Sequence, residues 1–262
     1  MGGTTAARGS VPDFSLSSEA GAFSERETDG LPEPVRRYFR AAIAPGTPLA
    51  ASARLHMRGR IKLGLWLPFR ARQVLAPHRG FVWAARVAGI ISGSDQYIDG
   101  SGWMQWKVLG LVPIVRAEGP DISRSSVGRF GAESIWLPTS LLPRCGVAWP
   151  AENDAHVTAR FHVRDVEVAL HMSLDDRARV RSVQLDRWAD PQSSGTFAWH
   201  PFGIEVDGYA TFDGVSIPNR GRGGWFFGTD RWPEGDFFHY EITDLSLQPR
   251  RGESHERVDD RT

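Results

Sequence analysis

GFVWAARVAGIISGSDQYIDGSGWMQWKV, residues 80–108, decides the fold class. Its large residues return at every second position. Phe81, Trp83, Ala85 and Val87 share one side of the backbone, and Ile91, Gly93, Asp95 and Tyr97 share one side of the next run. Period two marks a half-buried β-strand, because successive side chains point to opposite faces. Asp99-Gly100 supplies a hairpin turn, and the run that follows carries Trp103 on one face and Met104 and Trp106 on the other.

The same alternation extends outward in both directions. Residues 54–62 set Leu55, Met57, Gly59 and Ile61 against Arg54, His56, Arg58, Arg60 and Lys62, and residues 69–75 alternate in the same way. Five consecutive strands joined by short turns form a meander. Further strands are expected at 156–163, 165–172, 179–188, 208–212, 215–227 and 237–247, with Asp213-Gly214 as another hairpin turn. Two helical stretches interrupt the series. Pro32 and Pro34 can occupy a first helical turn ahead of Val35, Tyr38, Phe39, Ala42 and Ile43, with Pro45 and Gly46 ending the helix. After Pro120, Asp121 and Ser123 can cap a helix bearing Phe130, Ser134, Leu137 and Leu141, which Pro138 divides.

About ten strands must curl or close to satisfy their edges. The expected fold is therefore mainly β: a large curved antiparallel sheet or half-barrel with an N-terminal helix and a mid-chain helical plug. One β-barrel-like domain is expected over residues 29–248. Residues 1–28 (Gly/Ser/Thr-rich, without periodicity) and 249–262 (almost wholly charged) read as tails.

Composition narrows the function. The 262 residues hold 31 Lys or Arg against 31 Asp or Glu, so no overall field draws nucleic acid. A single cysteine, Cys145, excludes an intramolecular disulfide, a CxxC redox pair and a multi-cysteine zinc site. The N-terminal residues lack a basic-then-apolar signal layout, and nowhere do 18 apolar residues run together, so a cytoplasmic protein without a membrane span is expected. GxSxG, HExxH, GxxxxGK[ST] and a strand-following GxGxxG are all missing, which removes the familiar hydrolase, zincin and nucleotide classes. No cofactor is expected. His156, His162 and His171 alternate with apolar neighbours and are expected to face water, which leaves no metal site.

Several stretches resemble a bacterial family of unknown function: LPEPVRRYFRAAI (31–43), GFVWAAR (80–86), YIDGSGWMQWKVLGLVPIV (97–115), RFGAESIWLPTSLLP (129–143) and GVSIPNRGRGGW (214–225). The strand series with helices inserted mid-sheet is also similar to lipoprotein carriers of the LolA type. That resemblance implies an open β barrel holding acyl chains.

The candidate site follows from residue type and parity. Trp83, Trp106, Trp136, Tyr209 and Trp225 are expected to wall a pocket for an apolar ligand, with ordinary core filling as the plainer reading. Arg86 and Asp95 read as inward polar groups that either pair across adjacent strands or serve a reaction. Glu133 stands at the end of its helix, where the dipole disfavours an anion, and follows Arg129 by four residues in the weaker charge order. Helix design alone does not place an acid there, so Glu133 is the candidate general acid, against a surface ion pair with Arg129. The basic stripe Arg54–Lys62 with Arg70 and Arg72 reads as a solvated face or a receiver of phosphates or acidic headgroups. The leading expectation is binding of a hydrophobic small molecule or lipid acyl chain inside the barrel. The alternative is a cofactor-independent enzyme, of cyclase or isomerase type, acting on an enclosed hydrophobic substrate.

Overall fold

A computed structural model describes residues 21–76, 79–150 and 153–249. Twelve strands form one antiparallel sheet: β1 (Ala50–Leu63), β2 (Leu65–Ala76), β3 (Gly80–Val87), β4 (Ile91–Ile98), β5 (Ser101–Val108), β6 (Val112–Glu118), β7 (His156–Val163), β8 (Val166–Leu174), β9 (Val180–Ala189), β10 (Ala198–Phe212), β11 (Val215–Trp225) and β12 (Asp236–Pro249). Their spatial order is β6-β5-β4-β3-β2-β1-β12-β11-β10-β9-β8-β7. The last strand pairs with the first, which leaves β6 and β7 as the two edges. The sheet curves without closing. The turn between β7 and β8 reaches the turn between β4 and β5, where Arg164 Nη2 donates to the Asp99 carbonyl at 2.8 Å.

The alternation of residues 80–108 becomes β3, β4 and β5 in simple register, with Trp83 opposite Asp95 and Asp95 opposite Met104. β6 lies outside the expected strands, because Val112, Ile114 and Val115 are all exposed and an edge strand carrying Pro113 shows no period-two signal. β10 begins ten residues earlier than the expected 208.

α1 (Glu33–Ala42) forms where the two prolines place it and buries Val35, Tyr38, Phe39 and Ala42. Residues 21–28 were expected in the tail, yet they pack on the core. Phe23 is 2% exposed and its N–H donates to the Thr47 carbonyl, so a single large apolar side chain outweighs the surrounding polar composition. The remainder of that tail and residues 250–262 lie outside the described residues.

α2 (Pro120–Glu133) is followed by three 3-10 turns, Ser134–Trp136, Pro138–Leu141 and Pro143–Cys145. The mid-chain helix touches β3 to β6 on one side and β8 and β9 on the other, so it spans the gutter of the curved sheet. Two glycines allow the close approach. A Cβ on Gly128 would lie 2.6 Å from Arg187 Cγ, and one on Gly131 would lie 2.8 Å from Val168 Cγ1. Asp121 and Ser123 do not cap it. Ser123 Oγ donates to the Gly119 carbonyl and accepts the Gly102 N–H, tying the helix start to β5. Among the described residues no helix is long and apolar enough to cross a membrane. A short helix, α3 (Trp232–Gly235), links β11 to β12.

Candidate functional site

The inward residues of β1, β3 to β6 and β9 to β12, together with the end of α2, leave a cavity of about 550 Å³ between sheet and helix. Aromatic rings form a continuous wall. Trp106 meets Trp83 at 5.6 Å between centroids, Trp83 meets Phe238 at 6.2 Å, Phe238 meets Phe237 at 6.4 Å, and Phe237 stacks on Trp225 at 6.3 Å. Trp136 follows α2 in its first 3-10 turn and closes one side against Tyr240, 5.1 Å away. Leu63, Ile114 and Val115 line the cavity and are 40–49% exposed, so they form its mouth.

Four charged side chains also line this apolar space. Arg129, one turn before the end of α2, donates from Nη1 to Asp95 Oδ2 at 2.9 Å and from Nε to Glu133 Oε1 at 2.7 Å. Asp95 Oδ1 accepts the Trp106 indole N–H at 2.9 Å, and Glu133 Oε2 accepts Gln73 Nε2 at 2.5 Å. The guanidinium lies over the rings of Phe81 and Trp83, at 4.6 and 4.9 Å. Burial disfavours the charge on Arg129, but the carboxylates of Glu133 and Asp95 outweigh burial and hold it above the usual arginine value. This half of the cluster is closed: each carboxylate oxygen accepts a hydrogen bond.

Arg187 on β9 is different. Its Nε donates to the Ser125 carbonyl of α2 at 3.0 Å, and its guanidinium lies 4.8 Å from the ring centroids of both Phe202 and Trp225. Among the described residues its two terminal nitrogens meet no protein acceptor, and the residue lines the cavity. Burial, with Arg129 close by, pushes its proton affinity down to about 9, against the opposing pull of Glu133 and Asp95. It therefore remains charged at neutral pH while lacking a direct counter-ion.

The structure brings Trp83, Trp106, Trp136, Trp225, Asp95 and Glu133 to this cavity. Two candidates lie elsewhere. Arg86 does not pair with Asp95. Phe81, Trp83, Ala85 and Val87 take the inner face of β3, so Arg86 points outward and is exposed, and the partner of Asp95 is Arg129. Tyr209 lies on the far part of β10, where its hydroxyl donates to the Val180 carbonyl at 2.8 Å near Tyr38, away from the cavity. The ion pair of Glu133 with Arg129 is present but buried, with Glu133 8% and Arg129 16% exposed at the side chain. Arg187, Gln73, Phe202, Phe237, Phe238 and Tyr240 were not singled out in the sequence. Alternation puts Phe238 and Tyr240 on one face, and the adjacent Phe237 reaches the same cavity at the irregularity where Gly223 pairs Phe238 and Gly224 pairs Asp236. Alternation with Val183 and Leu185 sets Arg187 on the inner face of β9, but that α2 covers it there is not visible in any local pattern.

Fold and site together define an open antiparallel half-barrel, wrapped around an aromatic cavity with a charged floor. The chain belongs to a family of unknown function, DUF6544, whose pattern matches residues 21–237. Among solved structures it is similar to a putative outer membrane lipoprotein-sorting protein domain from Vibrio parahaemolyticus, with 10% identity and a TM-score of 0.37 over 78% of this chain and 88% of that one. It is also similar to a LolA superfamily protein from Nitrosomonas europaea, with 10% identity and a TM-score of 0.37 over 76% and 86% of the two chains. A DUF1329 family protein from Desulfovibrio piger gives 11% identity and a TM-score of 0.34 over the same shares. No curated protein matches the chain.

Proposed function

We propose that the protein binds an apolar molecule of acyl-chain type in the half-barrel cavity and holds its acidic head on Arg187. The observation that carries this reading is the cavity itself. At about 550 Å³ it falls within the size of ligand pockets, roughly 300–1,000 Å³, and its lining is aromatic and aliphatic with a few placed polar groups. Asp95, Arg129, Glu133 and Gln73 satisfy one another, so they offer a ligand little. Arg187 offers two unused donor nitrogens and a charge that lacks a direct counter-ion. A planar guanidinium matches a carboxylate bidentately. The ligand class is therefore a long-chain carboxylic acid.

The test is titration of lipid-stripped protein with a long-chain fatty acid and with the alcohol of equal length, read by quenching of cavity tryptophan fluorescence. The acid is expected to bind at least tenfold tighter, and Arg187→Met to remove that preference while leaving alcohol binding intact. A Cβ on Gly223, which borders the cavity, would meet only ordinary contacts at 3.4 Å or more, so Gly223→Leu can place a side chain in the cavity without a backbone clash. Gly223→Leu is expected to abolish binding of both ligands. Failure of both to bind the parent protein, with nothing apolar retained by protein purified from its own host and examined by native mass spectrometry, overturns the reading.

The position of Glu133 favours one second reading, catalysis on the enclosed ligand by a cofactor-independent enzyme. Glu133 borders the cavity at 6% exposure. Turnover of a bound polyunsaturated or polycyclic analogue, lost in Glu133→Gln while binding is kept, supports it. Unchanged analogue after prolonged incubation rejects it.

A further inference from the structure

The end of the sheet where the β1–β2, β3–β4 and β5–β6 hairpins turn carries two features that cavity binding does not explain. The first is apolar exposure. Nine large hydrophobic side chains are exposed among the described residues, and eight of them lie at these turns or on the β6 strand leading from one: Leu63, Leu65, Ile90, Leu109, Leu111, Val112, Ile114 and Val115. Scattered exposed leucines are ordinary, but such concentration on three neighbouring tips marks a surface that meets something apolar.

The second feature is charge. Residues 58–72, 84–94 and 104–117, which make up these hairpin ends, contain eight Lys or Arg and no Asp or Glu. On the outer face one cross-strand row reads Arg220, Glu241, Arg58, Arg70, Arg86, Ser92, Lys107 from β11 to β5. Glu241 is engaged by Arg58 through two hydrogen bonds, at 2.9 and 3.1 Å. Arg70 and Arg86 stand directly opposite each other with no acceptor among the described residues. Like charges in that position destabilise a sheet. They border an open outer groove of about 510 Å³, together with Arg58, Arg60, Glu241 and the β3–β4 turn residues Ala88 and Gly89. The groove thus adjoins the apolar tips.

We infer that this end of the sheet docks on a bilayer containing anionic phospholipid. The leucine tips enter the acyl boundary, and the arginine groove takes headgroup phosphates. The spacing fits. Arg86 and Lys107 precede the turn glycines Gly89 and Gly110 by three residues, about 10 Å of strand. That is comparable to the interfacial layer between the hydrocarbon core and water, some 5–8 Å deep on each side. The cavity mouth, formed by Leu63, Ile114 and Val115, opens at the same end. Docking goes beyond the binding function and stands without it, since Leu65, Ile90, Leu109, Leu111 and Val112 and the arginine groove do not line the cavity.

The test is flotation of the full chain with vesicles of phosphatidylcholine alone and of phosphatidylcholine mixed with phosphatidylglycerol. Binding is expected on the mixed vesicles, weakened by salt. Leu65, Leu109 and Leu111 do not line the cavity, and replacing all three with Ser is expected to lower vesicle affinity on the order of a hundredfold without changing ligand titration. Arg70→Glu with Arg86→Glu is expected to lower it at least on the order of tenfold on anionic vesicles. Equal binding to both vesicle types, no binding to either, or release by millimolar inorganic phosphate at constant ionic strength overturns the inference. So does a dimer in sedimentation that the serine variant dissociates, because a second copy of the chain then covers the tips. Loss of fatty-acid binding with flotation intact rejects the cavity reading alone.

Discussion

Two arginines lie within one cavity, and their replacement by methionine should change stability in opposite directions. Arg129→Met removes the only cation among the described residues that bonds Asp95 and Glu133, whose side chains are 17% and 8% exposed. Breaking a buried pair from one side leaves uncompensated charge and costs about 3–5 kcal/mol. Arg187→Met removes a cation that itself lacks compensation. A fall from the usual arginine value to about 9, at ~1.4 kcal/mol per tenfold change in proton affinity, corresponds to strain on the order of 5 kcal/mol in the ligand-free protein. Against that stand the lost contacts with Phe202 and Trp225, about 0.5–1 kcal/mol each, and the charged hydrogen bond to the Ser125 carbonyl, about 1.5–3 kcal/mol. The net expectation is a gain of about 1 kcal/mol for Arg187→Met. The assay is urea unfolding of lipid-stripped protein, followed by tryptophan fluorescence. The folded state lowers the proton affinity of Arg187, so the strain is complete below about pH 9 and is relieved as pH rises from there towards the ordinary arginine range. The stability difference between Arg187→Met and the parent should therefore be flat from neutral pH to about 9, then fall and change sign above it. A loss of several kcal/mol for Arg187→Met, matching Arg129→Met, refutes the view that Arg187 is held without a counter-ion.

Gly93→Ala would place a Cβ 2.3 Å from the Trp106 ring and 2.6 Å from the Gln105 carbonyl, so it should destabilise by about 1–3 kcal/mol and shift tryptophan emission as Trp106 leaves Asp95. Unchanged stability and emission would mean that Trp106 does not lie over Gly93. Glu133→Gln leaves Arg129 with Asp95 as its single ion-pair partner among the described residues and should lower stability by about 1–3 kcal/mol in urea unfolding, an effect absent if the pair were solvated. Saturating long-chain carboxylic acid should raise the melting temperature of the parent by several degrees and that of Arg187→Met by less, as scanning calorimetry would show.

How far the sequence spoke depended on whether a residue's surroundings were local. Trp83, Asp95 and Trp106 were legible because strand parity alone assigns their faces, and the register carried that parity into the cavity. Glu133 was legible through a misfit. An acid at a helix C-terminus disagrees with the dipole, and the disagreement is resolved by Arg129 and Gln73, from the same helix and from β2. Arg86 lies outside the site because Phe81 and Trp83 set the inner parity of its strand, and the alanines that flank it do not reverse that parity. Tyr209 was misjudged because a strand aromatic reveals its face but not its position along the half-barrel. β6 was missed since no alternation survives on an edge strand whose apolar residues are all exposed.

Alternation with Val183 and Leu185 points Arg187 inward without showing what it meets there, and what it meets bears on function. Its burial is made by α2 lying over β9, an approach that Gly128 permits at the height of Arg187. The helix then supplies one backbone carbonyl and no carboxylate. Had stability been the only demand, a methionine or leucine at that height would fill the space without desolvating a charge. Arg129, by contrast, needs no ligand to account for it, because the fold surrounds it with two carboxylates and two rings. Of the two buried cations, the closed one is a device of structure. The open one has a deficit that a bound acid reduces, and relief of that deficit is one contribution to affinity for the acid. Arg187→Met, which removes the strain of the empty protein, therefore also removes that contribution.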